Sequence, residues 1–391
     1  MNTVRGLTFL AVSQTLIWAS LYYVFPALLL RWEADFGWSR AELTGAITLA
    51  VLVSGAFAPV VGRMIDRGFG RELMTLSAVL GAAGMLCLTQ VQTLWQFYLI
   101  WAINGLAMSG TLYDACFSVV TRSLGASAKR AITAITLVAG LAGTISFPLV
   151  ALAADAYGWR FAVGMAALVI VCVGAPLSWF GISALPEPQE QTARNDAPPD
   201  RSFLRTRVFW FFALAFACAA ILHGSTLHHL LPYLDERIVP AATAVTIAAL
   251  IGPSQVVGRI ILILSSQLVT THTVAIVTFV LMGTSVVILM LGQGELISLY
   301  VFVVMFGSAY GTVSILRPVL AREILGARDF GSKHGSATGV YQITHALAPF
   351  LGALIWMVGG YQTMFTTTAS LSALGVVLYI AAHRAKPSDT R

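Results

Sequence analysis

Two arginines lie in stretches of the chain that are otherwise apolar, and both could bind an anion. Arg259 lies about two-thirds of the way along the stretch 241–264, and Arg317 precedes Pro318 at the end of 296–318. A guanidinium group meets a carboxylate with two parallel hydrogen bonds, so we predict both arginines as ligands of a small organic anion. The alternative is that each arginine only extends to polar surroundings at the end of its stretch.

Asp114 is the only acidic residue well inside one of the apolar stretches, 96–119. Burial disfavours the charged form of a carboxylate, and a group of this kind can take up and release a proton. We therefore predict Asp114 as a proton-coupling group. A buried acid can equally neutralise an arginine such as Arg317, and this structural alternative stays open.

Matched pairs of tyrosines and histidines stand four and three residues before a proline: Tyr22 and Tyr23 before Pro26, and His228 and His229 before Pro232. Tyrosine can donate a hydrogen bond to a carboxylate and histidine can titrate near neutral pH, so we predict Tyr22 and His229 as substrate ligands. Tyr341 and His345 share a helix face at four-residue spacing and are further candidates for a polar lining. The alternative for each pair is a position at the lipid headgroups.

Composition indicates that lipid surrounds most of the scaffold that carries these residues. Hydrophobic residues make up 58% of the 391 residues, charged residues 10%, and the mean hydropathy is +0.82. A bilayer core is crossed by about 20 apolar residues, and backbone groups there must be satisfied within a helix. We predict an all-α integral membrane protein with twelve transmembrane helices, near 7–30, 42–61, 73–90, 96–119, 132–153, 161–182, 208–231, 241–264, 273–291, 296–318, 337–358 and 362–382.

The positions of the basic residues predict the orientation. If the N-terminus is cytoplasmic, only four of the 23 Lys and Arg residues fall on the outer side: Arg31, Arg40, Arg160 and Arg237. Basic residues accumulate on the cytoplasmic side of membrane proteins, so both termini are predicted inside. Topology thus explains the net charge of +6, and no nucleic-acid partner is needed.

The sequence divides into two similar halves. A polar, proline-rich segment at 184–206 separates six predicted spans in 1–183 from six in 207–391. Gly110-Thr111 stands before Gly125 as Gly311-Thr312 stands before Gly326, and Val60–Arg63 is repeated as Val256–Arg259. We therefore predict two pseudo-symmetric six-helix halves joined by a cytoplasmic linker.

The loop after the second predicted span carries the most specific motif, Gly62-Arg63-Met64-Ile65-Asp66-Arg67-Gly68-Phe69-Gly70-Arg71. It resembles the loop between the second and third helices of major facilitator superfamily (MFS) transporters. That resemblance implies two six-helix halves, a substrate site near the midplane and alternating access, with helices 1, 4, 7 and 10 lining the cavity. It also implies that Asp66 forms a conformational latch. The predicted gating residues are Gly62, Asp66, Arg67, Gly70 and Arg71.

A narrower resemblance concerns the substrate. Gln255–Arg259 is similar to the eighth helix of proton-linked monocarboxylate transporters, where an arginine binds substrate, and Phe36–Arg40 is similar to their first external loop. Animal members carry an acid one turn before that arginine and a lysine in helix 1, whereas this chain has Gln255 and no lysine there. The resemblance to a bacterial monocarboxylate-transporter-like branch implies proton-coupled uptake of a monocarboxylate or related organic anion.

Other functions are considered beside this one. The same fold also performs proton-driven efflux of a drug, metalloid or other toxic compound, and Asp114 suits that mechanism as well. Ser, His and Cys are scattered, so neither an enzyme nor a metal site is predicted, and no cofactor is expected. We expect a monomer in the cell inner membrane whose partners are a small-molecule substrate, protons and lipid.

Overall fold

A computed structural model of the protein describes residues 2–187, 202–265 and 268–385. Every regular element among these residues is helical. Residues 188–201 of the predicted linker lie outside the described residues. The α-helices are α1 (Asn2–Ile17), α2 (Val24–Phe36), α3 (Arg40–Asp66), α4 (Gly70–Leu88), α5 (Leu94–Thr111), α6 (Tyr113–Leu124), α7 (Ala128–Ala139), α8 (Ala142–Tyr157), α9 (Trp159–Val169), α10 (Ala175–Ser183), α11 (Arg207–Glu236), α12 (Ala241–Leu264), α13 (Thr271–Leu291), α14 (Leu296–Leu325) and α15 (Phe330–Arg384).

Two predicted spans contain a wide π-helical turn. The first, Trp18–Tyr22, follows α1 directly and ends two residues before α2 begins. The second, Ile170–Gly174, joins α9 to α10. The Ser13 hydroxyl donates to the carbonyl of Gly174 at 2.8 Å, which ties α1 to the second of these turns. Short π-helical turns inside α-helices are frequently found at functional sites.

Other predicted spans are interrupted. The stretch 96–119 divides at Leu112, whose φ of −79° and ψ of −170° are extended, and 132–153 divides after Ala139. The eleventh and twelfth predicted spans run through α15, in which Gly359 and Gly360 leave the helical conformation. Gly360 has a φ of +68°, a value that glycine adopts without the clash of a Cβ.

By length and composition, nine helical segments among the described residues could cross a membrane. The helices α5, α6, α7 and α8, which lie in the two interrupted predicted spans 96–119 and 132–153, are not among the nine. The all-helical membrane architecture is therefore confirmed, while the number of twelve spans stays a prediction.

The chain divides into two compact units. Unit 1 contains Met1–Pro199 together with Ala327–Gly339, and unit 2 contains Asp200–Gly326 and Val340–Arg391. The start of α15 therefore packs with the N-terminal helices, although it follows the second set in the chain. Hydropathy cannot predict this assignment because it does not indicate which helices an apolar helix packs against.

Aromatic side chains fill the core of unit 1. Trp32 and Trp101 are completely buried, and Phe25 lies edge-on to both rings with centroid distances of 5.5 and 4.9 Å. Edge-to-face contacts of this kind add to the free energy of burying the rings. This packing fixes α2 against α5 and so holds the first and fourth predicted spans together.

In unit 2, α12 and α14 approach closely at two glycines. A Cβ added to Gly258 would collide with the backbone of Ser308, and one added to Gly311 would collide with the backbone of Gln255. Small residues let membrane helices pack backbone to backbone. These contacts position Arg259, which directly follows Gly258.

Gly258→Ala is expected to destabilise unit 2. Overpacking a tight contact costs about 1–3 kcal/mol, so Tm in detergent should fall by on the order of 5 °C. Gly252→Ala is the matched control on the same helix, because a Cβ there meets no atom within 4 Å. Its Tm should stay level or rise slightly, since alanine is the better helix former. Equal Tm values for the two variants would contradict the close approach.

Candidate functional site

Asp66 contacts the beginning of α15, and both partners belong to unit 1. Its Oδ1 accepts a hydrogen bond from the backbone N–H of Gly331 at 2.6 Å, and its Oδ2 accepts one from Ser332 at 2.5 Å. The first N–H groups of a helix have no partner within the helix and carry a partial positive charge. A carboxylate that accepts two of these bonds therefore holds the ends of α3 and α15 together.

Glycines bring the backbones of α3 and α15 into contact beside Asp66. A Cβ on Gly62 would collide with the carbonyl of Gly331, and one on Gly335 would collide with the carbonyl of Ala58. Gly339 approaches the carbonyl of Gly55 in the same way. The spacing of Gly331, Gly335 and Gly339 places all three on one face of α15.

The other predicted gating residues make different contacts. Arg67 is exposed, and Gly70 is buried where a Cβ would lie 2.7 Å from Val119. Arg71 pairs with Glu72 at 2.9 Å and lies 4.1 Å from the Trp179 ring centroid. Its described contacts thus tie α4 to α10.

Arg122 is the arginine that approaches the motif. Its guanidinium donates to the carbonyl of Ile65, next to Asp66, and its charge acts on the Asp66 carboxylate. The sequence interpretation treats Arg122 only as a topology charge. The sequence does not predict this contact, because arginines near the ends of membrane helices are common on the cytoplasmic side.

An aromatic cluster surrounds the π-helical turn of unit 1. The Trp18 ring lies 5.1 Å from Tyr22 and 4.8 Å from Tyr113, and Tyr22 lies 5.5 Å from Tyr23. Gln14, one helical turn earlier and completely buried, donates to the carbonyl of Thr111 at 2.8 Å. The predicted ligand Tyr22 therefore belongs to a larger set that joins helix α1 and its π-helical turn to the break between α5 and α6.

Asp114 stands in the first turn of α6, directly after that break. It is half-buried, and its backbone carbonyl accepts a hydrogen bond from the Ser118 hydroxyl at 2.8 Å. An acidic residue in the first turn also stabilises a helix by interacting with its dipole. The position fits this structural role as well as the predicted proton-coupling role.

Arg259 and Arg317 are both buried in unit 2, with exposed fractions of 7% and 6%. The Nε of Arg259 donates to the carbonyl of Gly311 at 3.1 Å, which ties it to α14. The guanidinium of Arg317 lies 3.9 Å from the ring centroid of Tyr341. A buried guanidinium in a membrane helix is costly and by default indicates a functional position.

Next to Arg317 lies a closed circuit of four side chains, which we call the His–Tyr circuit: His223, His345, Tyr341 and Tyr310. His223 Nδ1 lies 3.2 Å from His345 Nε2, and the Tyr310 and Tyr341 hydroxyls are 3.2 Å apart. Tyr310 stacks on His223 with ring centroids 3.3 Å apart, and Tyr341 stacks on His345 at 5.9 Å. The circuit joins α11, α14 and α15.

The predicted ligand His229 lies apart from the side-chain contacts of the circuit. Its Nε2 is 3.1 Å from the carbonyl of Pro349, and its ring lies 6.0 Å from Tyr361. His228 Nδ1 is 2.8 Å from the carbonyl of Gly224. Both histidines thus contact backbone carbonyls within unit 2.

Sequence reasoning identified the buried arginines but missed His223 and Tyr310. It placed Tyr341 and His345 on one face, and that spacing was the available signal. The contact between His223 and His345 spans 122 residues, and a single sequence does not reveal pairs at such separation.

Comparison with known proteins gives both sequence and fold relatives. The profile of the Major Facilitator Superfamily matches residues 10–353. The multidrug resistance protein MdtH of Cronobacter sakazakii is 25% identical over 191 residues, which is 49% of this chain and 46% of MdtH. The chain thus matches about half the length of this curated relative.

Two solved structures have the same fold. The Escherichia coli fucose:proton symporter FucP has a TM-score of 0.75 at 16% identity, over 98% of this chain and 99% of that one. The human organic anion transporter MFSD10 (TETRAN) has a TM-score of 0.71 at 17% identity, over 97% and 99%. At these identities the likeness concerns the fold alone. Because the family profile covers most of the sequence, the chain belongs to the Major Facilitator Superfamily of transporters.

Proposed function

We propose that this transporter carries a small organic anion, such as a monocarboxylate, together with a proton by alternating access. The observation that carries the proposal is the buried guanidinium of Arg317, which is 6% exposed and lies 3.9 Å from the Tyr341 ring. Arg259, equally buried, supplies a second positive charge in the same unit. Two buried guanidinium groups favour an anionic substrate over a neutral or cationic one.

The aromatic cluster of unit 1, considered by itself, suits a substrate that also has an apolar part. Trp18, Tyr22 and Tyr113 offer ring surfaces and hydroxyl donors in unit 1. Binding pockets for small molecules combine mostly apolar walls with a few placed polar groups. Substrate contacts by Tyr22 and His229, and proton coupling by Asp114, stay proposals beside the arginines.

The latch belongs to the same proposal. Asp66 holds the start of α15 when the cytoplasmic side is closed, and the hydrogen bonds that its carboxylate accepts from the N–H groups of Gly331 and Ser332 break each time that side opens. The closed state is then favoured by hydrogen bonds to a charged acceptor, worth about 1.5–3 kcal/mol each. An orientation with both termini inside places this latch at the cytoplasmic surface.

The test is transport by the purified protein in liposomes, with labelled lactate, pyruvate and benzoate as probes. With an inward proton gradient, at least one probe should accumulate inside the liposomes above its external concentration, and faster than in liposomes without the protein. A protonophore should abolish this accumulation. Lactamide, which has lactate's shape without its charge, should not compete. Absence of proton-driven accumulation for all three carboxylates would overturn the proposal.

The second candidate function is proton-driven efflux of a toxic compound. The similarity to MdtH, a protein named for multidrug resistance, favours it. Expression in a drug-susceptible bacterial strain should then raise the inhibitory concentration of specific compounds. An Asp114→Asn variant should lose that resistance, and equal resistance with both proteins would count against efflux through Asp114.

A further inference from the structure

A serine on α8 bonds the π-helical turn of the first predicted span. The hydroxyl of Ser146 donates to the carbonyl of Ala19 at 2.7 Å, and both residues are buried. A serine within a helix can instead donate to a carbonyl of its own helix, one turn earlier. This hydroxyl reaches a turn 127 residues away in the sequence. The bond therefore fixes α8 against the first predicted span at the point where that span is wide.

The surface of α8 fits the same turn on both sides of this bond. Gly143, one helical turn before Ser146, lies so close to Tyr23 that an added Cβ would be 3.3 Å from its ring. Small residues allow such close approach between membrane helices. The ring of Phe147, which follows Ser146, lies 6.1 Å from that of Tyr23. The hydrogen bond is thus one part of a matched contact between α8 and the turn.

The wide turn determines which rings lie together. The backbone N–H of Tyr23 donates to the carbonyl of Trp18, five residues earlier, at 3.0 Å. In a regular α-helix, residues five apart point about 140° apart around the axis, so Tyr23 would face away from Trp18. In the π-helical turn, the ring centroids of Tyr22 and Tyr23 lie 5.1 and 6.2 Å from that of Trp18. The turn thus brings two tyrosines to one tryptophan.

The aromatic cluster of unit 1 consists of these three rings and of Tyr113, whose ring lies 4.8 Å from Trp18. All four residues are half-buried, so part of each is accessible. Aromatic rings bind a further ring in offset-stacked or edge-to-face arrangements. The ligand chemistry that fits such a surface is an aryl group, for example the ring of an aromatic carboxylate.

We propose that the aromatic cluster of unit 1 binds the aryl group of an aromatic carboxylate, and that Ser146 is a positioning residue for this cluster. The inference rests on the proposed function and narrows its substrate class. Ser146 acts through the carbonyl of Ala19, which it holds in the wide turn that presents Trp18 and Tyr22. Without the hydroxyl, the turn gains other conformations. The apparent affinity then falls with the fraction of molecules whose rings are in the binding arrangement.

The test compares transport of labelled benzoate with that of labelled lactate, which has a carboxylate and no ring. Initial rates are measured in liposomes and corrected for those of liposomes without the protein. In Ser146→Ala, the KM for benzoate should rise roughly 3- to 10-fold, because fewer molecules have the binding arrangement. The KM for lactate and both maximal rates should stay within about twofold of the wild type, because lactate has no ring to place.

Two further variants test the two parts of the inference. Ser146→Thr keeps a hydroxyl and should retain a KM for benzoate close to that of the wild type. Trp18→Leu removes the central ring of the cluster itself and should raise this KM at least as much as Ser146→Ala does.

Ser372→Ala is the matched control. Ser372 is 2% exposed and its hydroxyl donates to the carbonyl of Phe279 at 2.6 Å, so it also joins two helices, α15 and α13. Both alanine variants should lower Tm by a similar amount, since each loses one buried hydrogen bond. Only Ser146→Ala should change the KM for benzoate relative to that for lactate. A purely structural role of Ser146 predicts the same ratio in both variants.

The outcomes separate this inference from the proposed function. If the wild type transports lactate but no benzoate, the aryl site is wrong and carboxylate transport stands. If it transports neither of them nor pyruvate, the proposed function fails and the inference fails with it. An unchanged KM for benzoate in Trp18→Leu would show that the cluster is not the aryl site. If that variant is impaired and Ser146→Ala is not, or if Ser146→Ala affects lactate as strongly as benzoate, the positioning role is wrong.

Discussion

Arg317→Gln is expected to reduce proton-driven carboxylate accumulation roughly 10- to 150-fold. Glutamine keeps much of the length and polarity of the side chain but removes the charge, and hydrogen bonds to a charged group contribute about 1.5–3 kcal/mol each. Because Arg317 contacts the face of Tyr341, the variant also loses a cation–π contact. The measurement is the initial rate of labelled lactate and benzoate uptake into liposomes under an inward proton gradient.

The control for this prediction is Arg384→Gln, at an exposed arginine at the end of α15 in the same unit. It should transport as the wild type does. Arg259→Gln should lower transport too, but it should also lower Tm, because the Arg259 Nε bonds the carbonyl of Gly311 and so joins α12 to α14. A folded Arg317→Gln protein with unchanged uptake would rule out Arg317 as the anion ligand.

Asp66→Asn is expected to slow transport at least ~10-fold while leaving substrate affinity nearly unchanged. The carboxylate accepts hydrogen bonds from two backbone N–H groups, at 2.6 and 2.5 Å. Asparagine has one oxygen acceptor, so one N–H loses its partner and faces an amide NH₂ group instead. The loss also removes the favourable interaction between a negative charge and the N-terminus of α15. We expect a shift of conformational populations and not a loss of binding.

The measurements are the uptake rate and the binding affinity of the variant for the same carboxylate. Asp155→Asn is the matched control, because Asp155 is an exposed acid that pairs with Arg31. Exposed pairs contribute at most about 1 kcal/mol, and so this variant should behave as the wild type. A wild-type uptake rate for Asp66→Asn would show that the contact with α15 has no role in the cycle.

Hydropathy predicted the all-helical membrane architecture because the need to satisfy backbone groups in lipid leaves few alternatives. It could not predict the extended residue Leu112 or the π-helical turn at Trp18–Tyr22. Both are changes of one or a few backbone angles that leave composition untouched. Nor could it predict that Ala327–Gly339 packs with unit 1, since the specific partner of an apolar helix depends on shape.

The candidate site was predictable to a smaller extent. Arg259 and Arg317 stood out because charge in an apolar stretch is costly, and both are indeed buried. The motif around Asp66 was recognisable, but its contact with Arg122 and with the amides of Gly331 and Ser332 was not. Histidine and tyrosine are tolerated in many membrane positions, so His223 and Tyr310 gave no comparable signal.

The π-helical turn at Trp18–Tyr22 also bears on how such a protein can diverge. A turn of this kind holds an additional residue within an α-helix. Deletion of one residue there would restore α-helical geometry and leave the two ends of the first span in nearly the same relative orientation, because the wide turn absorbs the additional residue. Within the turn, Trp18 and Tyr22 would be one residue closer in the chain, so their rings would lie differently relative to each other and to Tyr113. A single codon gained or lost can therefore change the surface that the aromatic cluster presents, with every flanking side chain retained.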